Sequence, residues 1–200
     1  MAKEQRWVSQ MLMALLLPLL AVNAGADEAK GAGAAVRAEI GKPISAALEL
    51  LKAKKGKDSL AKVREAEAVA GKSAYESYLV ARIKGQASSL AGEPAVAAEA
   101  FEAALNSPAI PAADRLPLMA AAAGQYYSAK SYAKAAEACA RYFKEGGNDP
   151  AIRTLQVQSY YFAGDLARTA REIQADIQST EREGKTPAEQ SLQILADVSN

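Results

Sequence analysis

An all-α fold follows from three observations on the 200-residue chain. Small residues recur at Ser59, Ala97, Ala135 and Thr169, at intervals of 38, 38 and 34 residues. Each follows a short polar or Gly-containing turn, with apolar residues before and after it at three- and four-residue spacing. Half of the residues are hydrophobic but only 6% are aromatic. Ala dominates, and it is both the best helix former and the side chain that lets helices approach closely. An interval of this size with two helices per unit is the signature of a helical repeat array. The expected architecture is an α-solenoid of about four helix pairs plus a terminal helix.

Residues 1–26 read as a signal peptide. Lys3 and Arg6 precede an apolar run at residues 11–22, interrupted only by Pro18. Val22-Asn23-Ala24 or Ala24-Gly25-Ala26 then offers a small-residue cleavage site, which completes the three-part export plan. Such a run rises about 18 Å as a helix, against a hydrocarbon core of about 30 Å. A periplasmic or exported location is expected, with inner-membrane anchoring if the segment stays attached. Residues 27–39 form a linker rich in Gly and Ala, and residues 40–200 the repeat domain.

The first helix should open near Pro43, a residue suited to a first turn, and bury Ile44, Ala47, Leu48 and Leu51. A turn at residues 54–58 leads into a second helix reaching about Ala70, with Leu60, Val63 and Ala66 inward and Gly71 ending it. Ser73 and Glu76 make a capping box for a third helix that runs to Ala91. Gly92-Glu93-Pro94 turns the chain, and Val96, Ala97, Ala100, Phe101 and Ala104 face inward on the return. A two-proline loop at residues 106–111 precedes the third pair. Asp114 is its expected cap, and Pro117 demands a first-turn place. That pair turns near Lys130 and ends at Gly146-Gly147. Asp149 and Pro150 supply the N-cap and first position of the fourth pair, which turns at Gly164-Asp165. Thr186, Pro187 and Glu189 then open the terminal helix, 187–198. Its Leu192, Ile194, Leu195 and Val198 have no return helix to cover them. Self-association through 187–198, or a continuation of the chain, would cover them.

The units resemble tetratricopeptide repeats (TPR), over about residues 40–200. The family's small position in the first helix of each pair falls on Ala47, Gly85, Ala123 and Val157. The small position opening the second helix falls on Ser59, Ala97, Ala135 and Thr169. One turn later its large position falls on Val63, Phe101, Cys139 and Ile173, followed by a small one at Ala66, Ala104, Tyr142 and Asp176. Tyr142 and Asp176 depart from the pattern, and the family's Trp is absent. With a signal peptide ahead of it, the chain is similar to exported TPR proteins of Gram-negative bacteria. The resemblance implies a right-handed solenoid and a non-catalytic adaptor or scaffold that holds a peptide or protein partner in a concave groove. It also implies which residues line that groove: Arg82, Gln86, Ser89, Tyr127, Thr154, Gln158 and Tyr161. Ile44 and Leu48 exclude the family's carboxylate-clamp version. The alternatives are a membrane-tethered or self-associating structural subunit of an envelope complex, or a helical accessory domain of a larger protein.

Composition argues against other functions. The formal net charge is +1, and a nucleic-acid binder needs a basic surface. There is no His, which removes the commonest general base and metal ligand. No catalytic, cofactor or metal residue is therefore assigned. Residues 66–73 fit a loose phosphate-loop pattern, but the preceding residues form an amphipathic helix rather than a strand, so a helix end followed by a capping box is expected. Ser59-x-x-Lys62 and Ser131-x-x-Lys134 share a penicillin-binding-protein motif without its partner motifs. Glu99 and Glu102 belong to a solvated outer face. Cys139, the only Cys, is expected as a small buried hydrophobe. Lys52, Lys54, Lys55 and Lys57 cluster at the first turn, as a solvated turn or as a contact for anionic lipid or polymer.

Overall fold

The computed structural model describes residues 35–182 and, beyond them, Gly184, Thr186, Pro187, Glu189, Leu192, Leu195 and Ala196. The expected signal peptide, residues 27–34 of the expected linker and most of the expected terminal helix 187–198 lie outside the described residues. These form eight helices and no strand. They are α1 (Ala38–Lys52), α2 (Gly56–Glu67), α3 (Ala74–Ala91), α4 (Pro94–Leu105), α5 (Ala112–Ser128), α6 (Tyr132–Lys144), α7 (Pro150–Phe162) and α8 (Leu166–Arg182).

The buried stripes run at helical spacing. Ile40, Ile44, Ala47 and Leu51 are buried in α1 and Ser59, Leu60, Val63 and Ala66 in α2. Two apolar clusters result. One joins α1 and α2 to Val80, Ile83 and Ala87 of α3. The other joins Tyr78 of α3 to α4, α5, α6 and Ile152 of α7. Because α3 serves both clusters it carries apolar residues on two sides. Phe101 is fully buried in the second cluster, a contribution of about 1.5–3 kcal/mol relative to an exposed side chain.

Each helix packs on the next in sequence, and α1 also touches α3 as α5 touches α7. Short turns between successive helices make them antiparallel neighbours. The turns α1–α2, α3–α4, α5–α6 and α7–α8 therefore share one edge, hereafter the turn edge. The α2–α3, α4–α5 and α6–α7 connections share the other. On the turn edge, a Cβ on Gly56 would stand 2.5 Å from the Leu90 and Ala91 backbone, so the first two turns abut. On the other edge, Arg37 donates to the carbonyls of Ala70 and Gly71, and Ser107 Oγ to that of Ala74.

Local chemistry closes the helices. Ser73 and Glu76 form the expected capping box, and the Asp149 side chain accepts from Ala151 N. Gly92 takes φ 80° after α3, a left-handed conformation that favours glycine. Lys54 and Lys130 take the same conformation at φ 58° and 59°. A side chain there costs roughly 1–3 kcal/mol, which the packed helix pairs on either side must offset.

Several boundaries differ from the sequence expectation. α1 opens at Ala38, leaving Pro43 inside the helix. The start is fixed from afar, since Arg37 N donates to Glu76 Oε1 at 2.9 Å. Pro117 likewise lies inside α5 rather than in its first turn. It and Ala113, whose carbonyl loses a helical partner, both face solvent, so water can satisfy that carbonyl. Asp114 is not the cap of α5; Pro111 holds that position. α2 stops at Glu67 rather than near Ala70, with the Lys72 ammonium on the carbonyls of Glu67 and Val69. In α8, Asp176 is exposed and Ile177 is buried instead.

Candidate binding surface

The seven residues expected to line a groove lie on α3, α5 and α7, the first helices of the second, third and fourth pairs. They are not equally available. Arg82 donates from Nη1 to Asp114 Oδ2 at 3.1 Å and to the Tyr78 hydroxyl at 3.5 Å. Tyr78 in turn donates to Asp114. Burial, with the Asp114 carboxylate second, pushes the Tyr78 phenol well above its ordinary range. Arg82 is thus committed to a bridge between α3 and α5, and its Nε is buried without a hydrogen-bond partner. Gln86 is buried, and so is Tyr127. Ser89 and Gln158 are half-buried, and Thr154 is exposed with its hydroxyl on the Pro150 carbonyl. Tyr161 is 40% exposed. Thr154, Gln158 and Tyr161 stand four and three residues apart on α7, so they share one helix face.

Tyr127 is covered by an aromatic group that the sequence reading missed. Its ring meets Tyr132 edge-on at 5.3 Å between centroids and Phe162 at 6.2 Å. Tyr132 and Phe162 stack at 5.1 Å, and Tyr161 meets Phe162 at 5.4 Å. Such pairs add about 0.5–1.5 kcal/mol each beyond their buried area. Phe162 is 51% exposed. The signal for this group was a large aromatic beside the turn in two adjacent units, at Tyr132 and Phe162. Turn chemistry alone, which marks only where helices end, does not reveal it. Of the adjacent pairs Tyr126–Tyr127 and Tyr160–Tyr161, Tyr127 and Tyr160 are buried. Tyr126 is half-buried beneath the Lys134 ammonium, 5.6 Å from the ring centroid.

Most of the residues weighed for chemistry are engaged in structure. Ser59 is fully buried and donates to the Ala47 carbonyl at 2.9 Å, while Lys62 pairs with Glu65. Residues 66–73 are a helix end and a capping box, with Lys72 turned onto carbonyls. Glu102 is paired with Arg141 of α6. Cys139 is fully buried, and burial pushes its thiol up to about 12. Among the described residues no three of His, Cys, Asp and Glu group to hold a metal ion. No described helix is long and apolar enough to cross a membrane. The hollow between α2, α3 and α4, about 280 Å³, is open and carries the Lys84–Glu67 pair at 2.7 Å. No family model, curated protein or solved structure matches the chain.

Proposed function

We propose that the chain is a TPR-like right-handed solenoid serving as a non-catalytic, exported scaffold for a peptide or protein partner. The repeat register supports the first part. In three of the four units the small residue of the first helix is buried, as at Ala47, Gly85 and Ala123. The residues opening the second helix, Ser59, Ala97, Ala135 and Thr169, are all fully buried. Val63, Phe101, Cys139 and Ile173, one turn further on, are buried as well.

The observation that carries the binding role is Tyr161, held 40% exposed beside a packed aromatic group. A large rigid ring with a polar tip, its neighbours already ordered, is the kind of anchor that recognition surfaces use. Gln158 and Thr154 on the same face offer hydrogen bonds to an extended segment. The surface is narrower than the sequence implied, because Arg82, Gln86 and Tyr127 are engaged within the helical body.

A photoreactive side chain in place of Tyr161 tests this reading in the host envelope. One discrete protein adduct is expected there, and none from the same group at exposed Ala95 on α4. Tyr161→Ala should then weaken binding of that partner by at least about fivefold, roughly 1 kcal/mol. Equal adducts at both positions, or unaltered binding by Tyr161→Ala, would overturn it.

A further inference from the structure

The two edges of the helical array differ in chemistry. Among the described residues the exposed large hydrophobic side chains are Leu90, Tyr161, Phe162, Leu166 and Leu192. The first four all lie at the ends of helices on the turn edge. Scattered exposed hydrophobics need no explanation, but four gathered on one edge do. The opposite edge has none of those four; it carries the Arg37–Glu76, Arg82–Asp114 and Arg115–Glu145 pairs, with Arg64, Lys144 and Arg182 exposed singly in the last turns of α2, α6 and α8.

The turn edge also holds a cluster of unpaired cations. Lys54, Lys55 and Lys57 are exposed, and no ion pair or hydrogen bond engages their ammonium groups. They line, with Leu90, an open hollow of about 320 Å³ formed where the first two turns abut. Lys130 adds a fourth unpaired cation at the third turn. Asp58 and Glu93 offset part of this charge, while Asp165 is held by Arg168 at 3.2 Å. The edge therefore remains net positive.

We infer that the turn edge rests on an anionic lipid surface, with Lys54, Lys55 and Lys57 on headgroups and Leu90, Phe162 and Leu166 entering the interfacial layer. Charge selects this occupant. A second copy meeting edge to edge would set the lysine turn against itself or against the aromatic end, leaving the ammonium groups without anions. Lipid supplies both chemistries at once. Lysine stems lie along an apolar boundary while their charged ends reach headgroups, and aromatic rings settle at headgroup depth. Neither signal alone holds a protein firmly, whereas a basic patch with an apolar insertion does so reversibly. The inference goes beyond the binding role of Tyr161, since it rests on Leu90 of α3 and the lysines at the α1–α2 turn.

The test uses the full chain with a polarity-sensitive fluorophore attached through Leu90→Cys, and a control labelled through Asn106→Cys on the opposite edge. Buried Cys139 stays unlabelled. Vesicles of equal parts phosphatidylcholine and phosphatidylglycerol should shift the probe at position 90 to the blue and leave that at 106 unchanged. Pure phosphatidylcholine should give no shift at 90, even if residues 11–22 tether the chain to both. Lys54→Gln, Lys55→Gln and Lys57→Gln together should weaken the response on the order of 100-fold in lipid concentration. These side chains are exposed, so thermal melting should be unchanged. A silent probe at 90, equal shifts on the two lipids, equal shifts at the two positions, or indifference to the lysine changes would overturn the inference. The Tyr161 adduct is unaffected by any of these outcomes.

Discussion

The ring of Phe101 lies against the backbone of Gly85 so closely that a Cβ there would stand 2.3 Å from the ring edge. The large residue of α4 is thus seated on the missing side chain of α3. Gly85→Ala gains about 1 kcal/mol of helix propensity, but the ring is fully buried and cannot swing clear. Overpacking costs typically about 1–3 kcal/mol. Chemical denaturation should show a net loss, partly restored by adding Phe101→Leu. A more stable Gly85→Ala protein would mean that α3 and α4 are not packed this way.

Acid should loosen the start of the array. The guanidinium of Arg37, then the backbone N–H groups of Arg37 and Ser73, hold the Glu76 carboxyl down at about 2, against an ordinary 4.5. A carboxylate depressed in the folded state contributes stability above its unfolded value, and loses it as pH falls towards the folded one. Thermal melting should therefore fall most steeply between about 4.5 and about 2. Arg115 lowers Glu145 with the same sign. Glu76→Gln should melt lower at neutral pH and flatten this acid limb; an unchanged limb would assign the acid sensitivity elsewhere.

Cys139 should report on unfolding. It is fully buried, and its thiol is pushed up to about 12, so thiolate is scarce at pH values where reagents are used. A disulfide reagent near pH 8 should react negligibly with the native chain and once per chain in denaturant. Fast reaction in native buffer would show that α6 opens readily.

Tyr127 and Tyr161 should separate stability from recognition. Tyr127→Ala removes a buried ring from contact with Tyr132 and Phe162, a truncation that costs about 3 kcal/mol. Tyr161→Ala should change stability by no more than about 1 kcal/mol. Comparing their denaturation midpoints checks this; equal losses would place Tyr161 in the packed body.

Much of the helical plan was readable because its signals are local. Capping boxes, N-caps and glycines after helices act over four or five residues, as Ser73–Glu76 and Asp149–Pro150 do. The small positions were readable for a similar reason, since close helix approach leaves no choice of side chain at Ala97 or Ala135. What escaped was non-local. Nothing near Arg37 announces a partner 39 residues away. Asp114 looked like a cap because an acidic residue beside a helix start usually is one, yet Tyr78 and Arg82 claim it. Tyr127 looked available because the repeat pattern says which way a residue points, not which neighbours cover it.

The ion pairs between units have a mechanical corollary. Among the described residues, Arg37–Glu76, Arg82–Asp114 and Glu102–Arg141 each join neighbouring units, and no side-chain hydrogen bond spans more than 39 residues. Pulled from its two ends, the chain carries load through links in series, with no strut running past a neighbour. Among the described helices α8, at the far end of the fourth pair, has the least grip, since it buries only Thr169, Ile173 and Ile177. Tension should therefore peel the array from that end, releasing roughly 120 Å of contour with each helix pair.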